Sequence, residues 1–267
     1  MDTRKISLNP TVITWGLVLL TVLLVSANMG MQAYKLIAGK QDVTGLPMIN
    51  LDGEHNLPAL FSTGLLVCAS LLLALITVLE RRVRAPDTFK WAILAAGFLL
   101  MALDEALSLH EKTIEPLRAL LGGEQLGIFY FAWVVPAMVL VAIIGAFYVR
   151  FMFRLPRRIA VAFAVSAAIY LGGALGVELV EGWWREGHGH RNLTYHGLVS
   201  LEEGMEMIGA IAFIHALLSY IAMRFGEVRF GFDGARAAAD ATAPTSQPQA
   251  DQPALAGQPA LARPASH

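Results

Sequence analysis

Cysteine is almost absent from this chain: Cys68 stands alone among 267 residues, inside an apolar run. A disulfide framework and a thiolate zinc site both need several cysteines, so both are excluded. Charge is scarce too. Only 15% of residues are charged, where a soluble domain carries about a quarter. There is also no surplus of one sign. Twenty Lys and Arg against 21 Asp and Glu leave a net charge of −1, which argues against nucleic acid as a partner. What the chain has in quantity is apolar residues, at 56%, with a mean hydropathy of +0.56. This composition belongs in a lipid bilayer.

Six stretches reach the roughly 20 residues that a helix needs to span a bilayer core: 11–34, 59–80, 90–111, 127–150, 159–182 and 197–223. They predict an all-α integral membrane bundle of six transmembrane helices over residues 1–230. The first stretch follows Arg4 and Lys5, so a cleaved signal peptide ending near Val25-Ser26-Ala27 competes with an uncleaved span. The uncleaved span is preferred, because the run is long for a signal and keeping it gives all six helices one consistent orientation. Basic residues set that orientation. Fourteen lie on the side of the N-terminus, the 2–3 and 4–5 loops and the C-terminal tail; six lie opposite. Both termini are expected in the cytoplasm, in a multi-pass protein of a bacterial-type inner membrane. From residue 231 to 267 the chain is rich in Ala, Pro, Gln and Ser, and is expected to be a disordered cytoplasmic tail.

The acids are distributed unevenly. Eight fall within or at the ends of three spans: Asp104, Glu105 and Glu111; Glu178 and Glu181; Glu202, Glu203 and Glu206. With both termini inside, all eight lie in the outer half of the bilayer. That half and its loops collect 14 acids against six basic residues, or −8; the cytoplasmic side carries +7. At about 100° per residue, Asp104 and Glu111 lie about 20° apart, and Glu202, Glu203 and Glu206 share an arc of about 100°. Each helix therefore directs its acids one way. His110 lies about 120° off the Asp104–Glu111 face and joins it only where the helix bends or ends.

An ionised carboxylate deep in a bilayer costs at least ~2.5–3.5 kcal/mol, and several together repel. Protonation, paired bases or a bound cation relieve this. Bases are few: Arg185, Arg191 and Lys112. Histidine favours metal. His55, His110, His188, His190 and His196 all fall on the outer side, and Glu186-Gly187-His188-Gly189-His190-Arg191 forms a His-rich loop. Carboxylate with imidazole is the ligand set of zinc, iron and manganese. The expected divalent-metal ligands are thus Asp104, Glu105, Glu111, Glu178, Glu181, Glu202, Glu203, Glu206, His110, His188 and His190. Plainer readings stand beside this one. Wet helix ends suit Glu111, Glu181 and Glu202, whereas Asp104, Glu178 and Glu206 lie too deep for it. His215 reads as a hydrogen-bonded packing residue. Gly172 and Gly176 read as a close helix contact, and Trp183, Trp184 and Tyr195 as interfacial anchors or as the mouth of a lipid-accessible pocket.

The stretch Leu103-Asp104-Glu105-Ala106-Leu107-Ser108-Leu109-His110-Glu111 resembles a motif of poorly characterised bacterial multi-span membrane proteins, sometimes labelled multidrug transporters. Glu178-Leu179-Val180-Glu181 and Glu202-Glu203-Gly204-Met205-Glu206 are similar to later parts of the same pattern. The resemblance covers residues 60–225 and implies neither reaction nor substrate. Three functions follow from the residues. The first is a divalent-metal protein, as an enzyme acting on a lipid or small apolar substrate. The second is a proton- or cation-coupled transporter, and the third a non-catalytic sensor or assembly subunit.

Overall fold

The computed structural model describes residues 9–39, 46–123, 125–226 and 228. The tail expected over 231–267 lies outside them. Among the described residues every regular element is a helix, with no strand. Asparagine starts three of its long helices. Asn9 caps α1 (Pro10–Ala38), Asn56 caps α2 (Leu57–Arg82) and Asn192 caps α9 (Leu193–Phe225). Each side chain accepts a bond from an otherwise unpaired N–H of the first turn. A proline in the first turn of α1 and of α2 removes a further donor.

Five helical runs are long and apolar enough to cross a membrane. These are α1, α2, α6 (Val134–Met152), α9, and the run Arg157–His188, made of α7 (Arg157–Leu171), a π segment (Gly172–Val177) and α8 (Glu178–His188). The sixth expected span departs from a straight helix. α3 (Thr88–Leu107) stops at Ser108, which takes a left-handed backbone, φ 46° and ψ 50°. The chain then turns by 67° into the short helices α4 (Leu109–Lys112) and α5 (Ile114–Leu120). The expected span 90–111 is therefore a broken one. Likewise the fourth span begins at Val134 rather than at 127, because Gly127–Phe129 forms a separate 3₁₀ turn.

Helix α9 is the centre of the bundle, packed on α1, α2, α7 and the π segment. Its most apolar window is 56% buried, against 11% for α1, so α1 lies on the periphery with Trp15, Leu19 and Leu23 exposed, as lipid-facing residues are. One aromatic cluster ties the end remote from the acids: Trp91 lies 4.8 Å from Tyr220, 5.0 Å from Phe151 and 6.1 Å from Phe163, centroid to centroid. There Glu80 is buried, and accepts from the Tyr220 hydroxyl at 2.6 Å and from Arg224 Nε at 3.3 Å. His215 bonds Thr14 through Nδ1 at 2.9 Å, joining α9 to α1 as a packing residue.

Of the expected Gly172–Gly176 pair only Gly172 makes a close helix contact, where a Cβ would meet Met205 Cε at 2.9 Å, and tighter approaches form at Gly173 and Gly209. A Cβ on Gly173 would meet Glu202 O at 2.8 Å, and one on Gly209 would meet Tyr170 N at 2.6 Å; one on Gly176 would meet nothing within 4 Å. The absent side chains let α9 lie against the end of α7 and the π segment.

Candidate functional site

The helix break at Ser108 builds one wall of the site. Asp104, in the last turn of α3, accepts the His110 backbone N–H at 2.9 Å on Oδ1 and pairs with His110 Nδ1 at 2.7 Å on Oδ2. Both carboxylate oxygens thus hold the residue that follows the break. With Nδ1 donating to Asp104, Nε2 is the basic nitrogen of the ring. The imidazole lies 4.6 Å from the Trp133 ring, and Trp133 Nε1 donates to Glu178 Oε1 at 3.0 Å. One continuous line of contacts therefore runs Asp104–His110–Trp133–Glu178, across three parts of the chain.

A second wall comes from α8 and α9. Asn192 ties their junction: its Oδ1 accepts from both Trp184 Nε1 and the Tyr195 N–H, each at 2.9 Å, while its Nδ2 donates to Gly189 O at 2.9 Å. The tight reversal sets Glu178, Glu181 and Arg185 of α8 against Tyr195 and Glu202 of α9. Glu202 neighbours both Glu178 and Glu181. All three glutamates are buried. Glu181 is 4% exposed, and its Oε2 has no hydrogen-bond partner among the described residues.

The third wall is a loop. Asn28 and Gln32, buried polar residues of α1, hold it by bonds to Leu51 N at 3.2 Å and Asn50 Oδ1 at 2.8 Å. Asn56 Nδ2 donates to Asn50 O at 2.6 Å and Gly53 O at 2.7 Å. This clamp brings Asp52 and Glu54 to the site. Solvent touches Asp52 at the rim, yet enough protein surrounds it for burial to raise its carboxyl above the usual carboxylate range, against the pull of Arg185.

Together the walls enclose a cavity of about 480 Å³. Of the residues expected at a site, Asp104, Glu105, His110, Glu111, Glu178, Glu181, Glu202, Glu203 and Glu206 line it. His188 and His190 do not. Both are exposed, His188 stacked on Trp184 at 4.1 Å and His190 edge-on to Tyr195 at 6.3 Å. Asp52, Glu54 and Glu115 join the lining from segments that sequence reasoning passed over. The signal for the loop was present in Asn28 and Gln32, two amides in an apolar span with no lipid-side role. Tyr195 is 1% exposed and bonds Arg185, so it is an interior residue rather than an interfacial anchor.

The charge on the lining is lopsided: eleven carboxylates, one guanidinium and one imidazole. The acids grade from exposed at the rim (Glu54, Glu111, Glu115) to buried on the floor (Glu178, Glu181, Glu202). Among the described residues no three His, Cys, Asp or Glu side chains are placed to hold one metal ion directly.

An all-helical bundle of five or six apolar crossings, with eleven of its carboxylates lining one cavity, fits a multi-pass membrane protein. The chain belongs to the family described as a domain of unknown function (DUF8692), which matches residues 16–221. That match runs from α1 into α9 and includes every wall of the cavity. No curated protein and no solved structure matches the chain.

Proposed function

We propose that this protein binds a divalent cation in the acid-lined cavity, on the outer side of the membrane, as the centre of a metal-dependent membrane enzyme. The observation that carries the reading is Glu181. It is buried beside Glu178 and Glu202, and its Oε2 has no donor among the described residues. A buried carboxylate with one oxygen left without a donor, set among like charges, is a costly arrangement that a cation relieves. Manganese is the favoured ion of the zinc, iron and manganese set, because it accepts oxygen ligands and retains water. His110, steadied by Asp104, supplies a base at the same cavity, which a hydrolytic reaction on a lipid or small apolar substrate requires.

Transport of a proton or cation is the weaker reading. Among the described residues, the acids at the other end of the bundle are already paired, Glu80 with Tyr220 and Arg224, and Asp87 with Arg154 at 2.9 Å. These two pairs leave neither carboxylate open as a second landing site for the charge. The test is a manganese titration of the full chain in detergent after chelator treatment, followed by loss of the free-ion electron paramagnetic resonance signal. One saturable site is expected, weakened by Glu181→Gln and by Glu202→Gln. Unsaturable binding, or affinity unchanged in both folded variants, would overturn the proposal.

A further inference from the structure

Arg185 lines a cavity of acids and, among the described residues, pairs with none of them. Among the described residues no carboxylate oxygen lies within ion-pair distance of its guanidinium; its hydrogen bond is from NH1 to the Tyr195 hydroxyl at 3.2 Å. Aromatic rings hold the group in place instead. Its central carbon lies 5.3 Å from the Tyr130 and Phe131 centroids and 5.9 Å from that of Tyr195. A guanidinium offers five N–H donors in a planar fork. One N–H is engaged here, and among the described residues the others of this cavity-lining group meet no acceptor.

We infer that the cavity takes a phosphate-bearing ligand, its oxygens received by the Arg185 fork and bridged to the carboxylate floor by the bound cation. The inference rests on the cation reading above, since a phosphate entering among eleven carboxylates is repelled unless a cation lies between. Three features of the cavity favour phosphate. The Arg fork matches paired anionic oxygens. The rings around it remove the freedom to fold back onto a neighbouring glutamate. The cavity volume, about 480 Å³, lies in the range of small-ligand sites and accommodates a phosphate headgroup. A lipid phosphate and a free phosphate share this chemistry.

The experiment reads the linkage between the two ions. Manganese affinity of the full chain is measured with and without inorganic phosphate in detergent, with acetate as the control anion. It is then measured in nanodiscs of phosphatidylcholine with and without phosphatidic acid. Phosphate is expected to tighten manganese binding by roughly tenfold or more, the scale of one charge-assisted hydrogen-bonded contact, and acetate by much less. Tightening in the phosphatidic acid arm alone assigns a lipid headgroup; tightening by inorganic phosphate assigns the free anion as sufficient. Arg185→Gln should abolish the linkage. Manganese binding without phosphate should survive or strengthen in that variant, because a positive charge has left the cavity. Arg185→Lys keeps the charge without the fork and should retain only a small part of the effect. Manganese binding that ignores both phosphate sources, or linkage undiminished in Arg185→Gln, would overturn the inference and leave the cation reading standing. Phosphate binding that needs Arg185 but no manganese would overturn the cation reading and keep Arg185 as an anion site.

Discussion

Gly209→Ala tests the packing that brings the acids of α9 to the cavity. The added Cβ would lie 2.6 Å from Tyr170 N, 2.7 Å from Tyr170 Cβ and 2.8 Å from Tyr170 Cα. Favourable carbon contacts begin near 3.5 Å, so α9 and the end of α7 must separate by about 1 Å. Two of the three obstructing atoms are backbone, and no rotamer change clears them. Overpacking costs about 1–3 kcal/mol, and the upper end applies where backbone meets backbone. Alanine recovers about 1 kcal/mol in helix propensity, leaving a net loss of about 2 kcal/mol. Gly176→Ala is the matched control. Nothing lies within 4 Å of its added Cβ, so propensity acts alone and the change is neutral or stabilising by up to about 1 kcal/mol. Both variants of the full chain would be unfolded reversibly in mixed micelles with increasing dodecyl sulfate, followed by far-ultraviolet circular dichroism. Equal shifts in the two variants, or a larger loss at Gly176, would refute the placement of α9.

Tyr220→Phe leaves the buried Glu80 carboxylate without its 2.6 Å donor and should destabilise by about 1–3 kcal/mol in the same assay; Arg224→Ala should cost less, because its side chain is half exposed. Asn56→Ala removes both the α2 cap and the loop clamp. Limited proteolysis between residues 46 and 56 should accelerate, with a stability loss of about 1–2 kcal/mol from the cap. Glu202→Gln removes one of three adjacent buried acids, so the metal-free protein should become more stable while manganese binds more weakly; a stability loss without metal would count against crowding of like charges. Reporter fusions at residues 190 and 240 should report opposite sides of the membrane, as the basic-residue bias requires.

Much of the architecture was legible locally. Apolar runs long enough to span a bilayer mark the helices, because hydrophobic length is a property of neighbouring residues. The acids of three separate spans could be expected to meet, since depth follows from position along a helix, and nine of the eleven expected ligands do line one cavity. What residue order does not carry is the path of the chain between helices and the fit of one backbone against another. Ser108 adopts a left-handed conformation because Asp104 reaches past it to hold His110, and that break turns a residue 120° off the acidic face into a cavity residue. Asp52 and Glu54 arrive only because amides of α1 hold a distant loop. His188 and His190 share the outer side with the acids, yet Trp184 and the Asn192 turn hold their segment outside the lining. Periodicity gives a side chain its direction about its own helix axis. Which neighbour stands in that direction is decided by long-range hydrogen bonds and by close approaches such as Gly209 on Tyr170, and these exist only once the helices have packed.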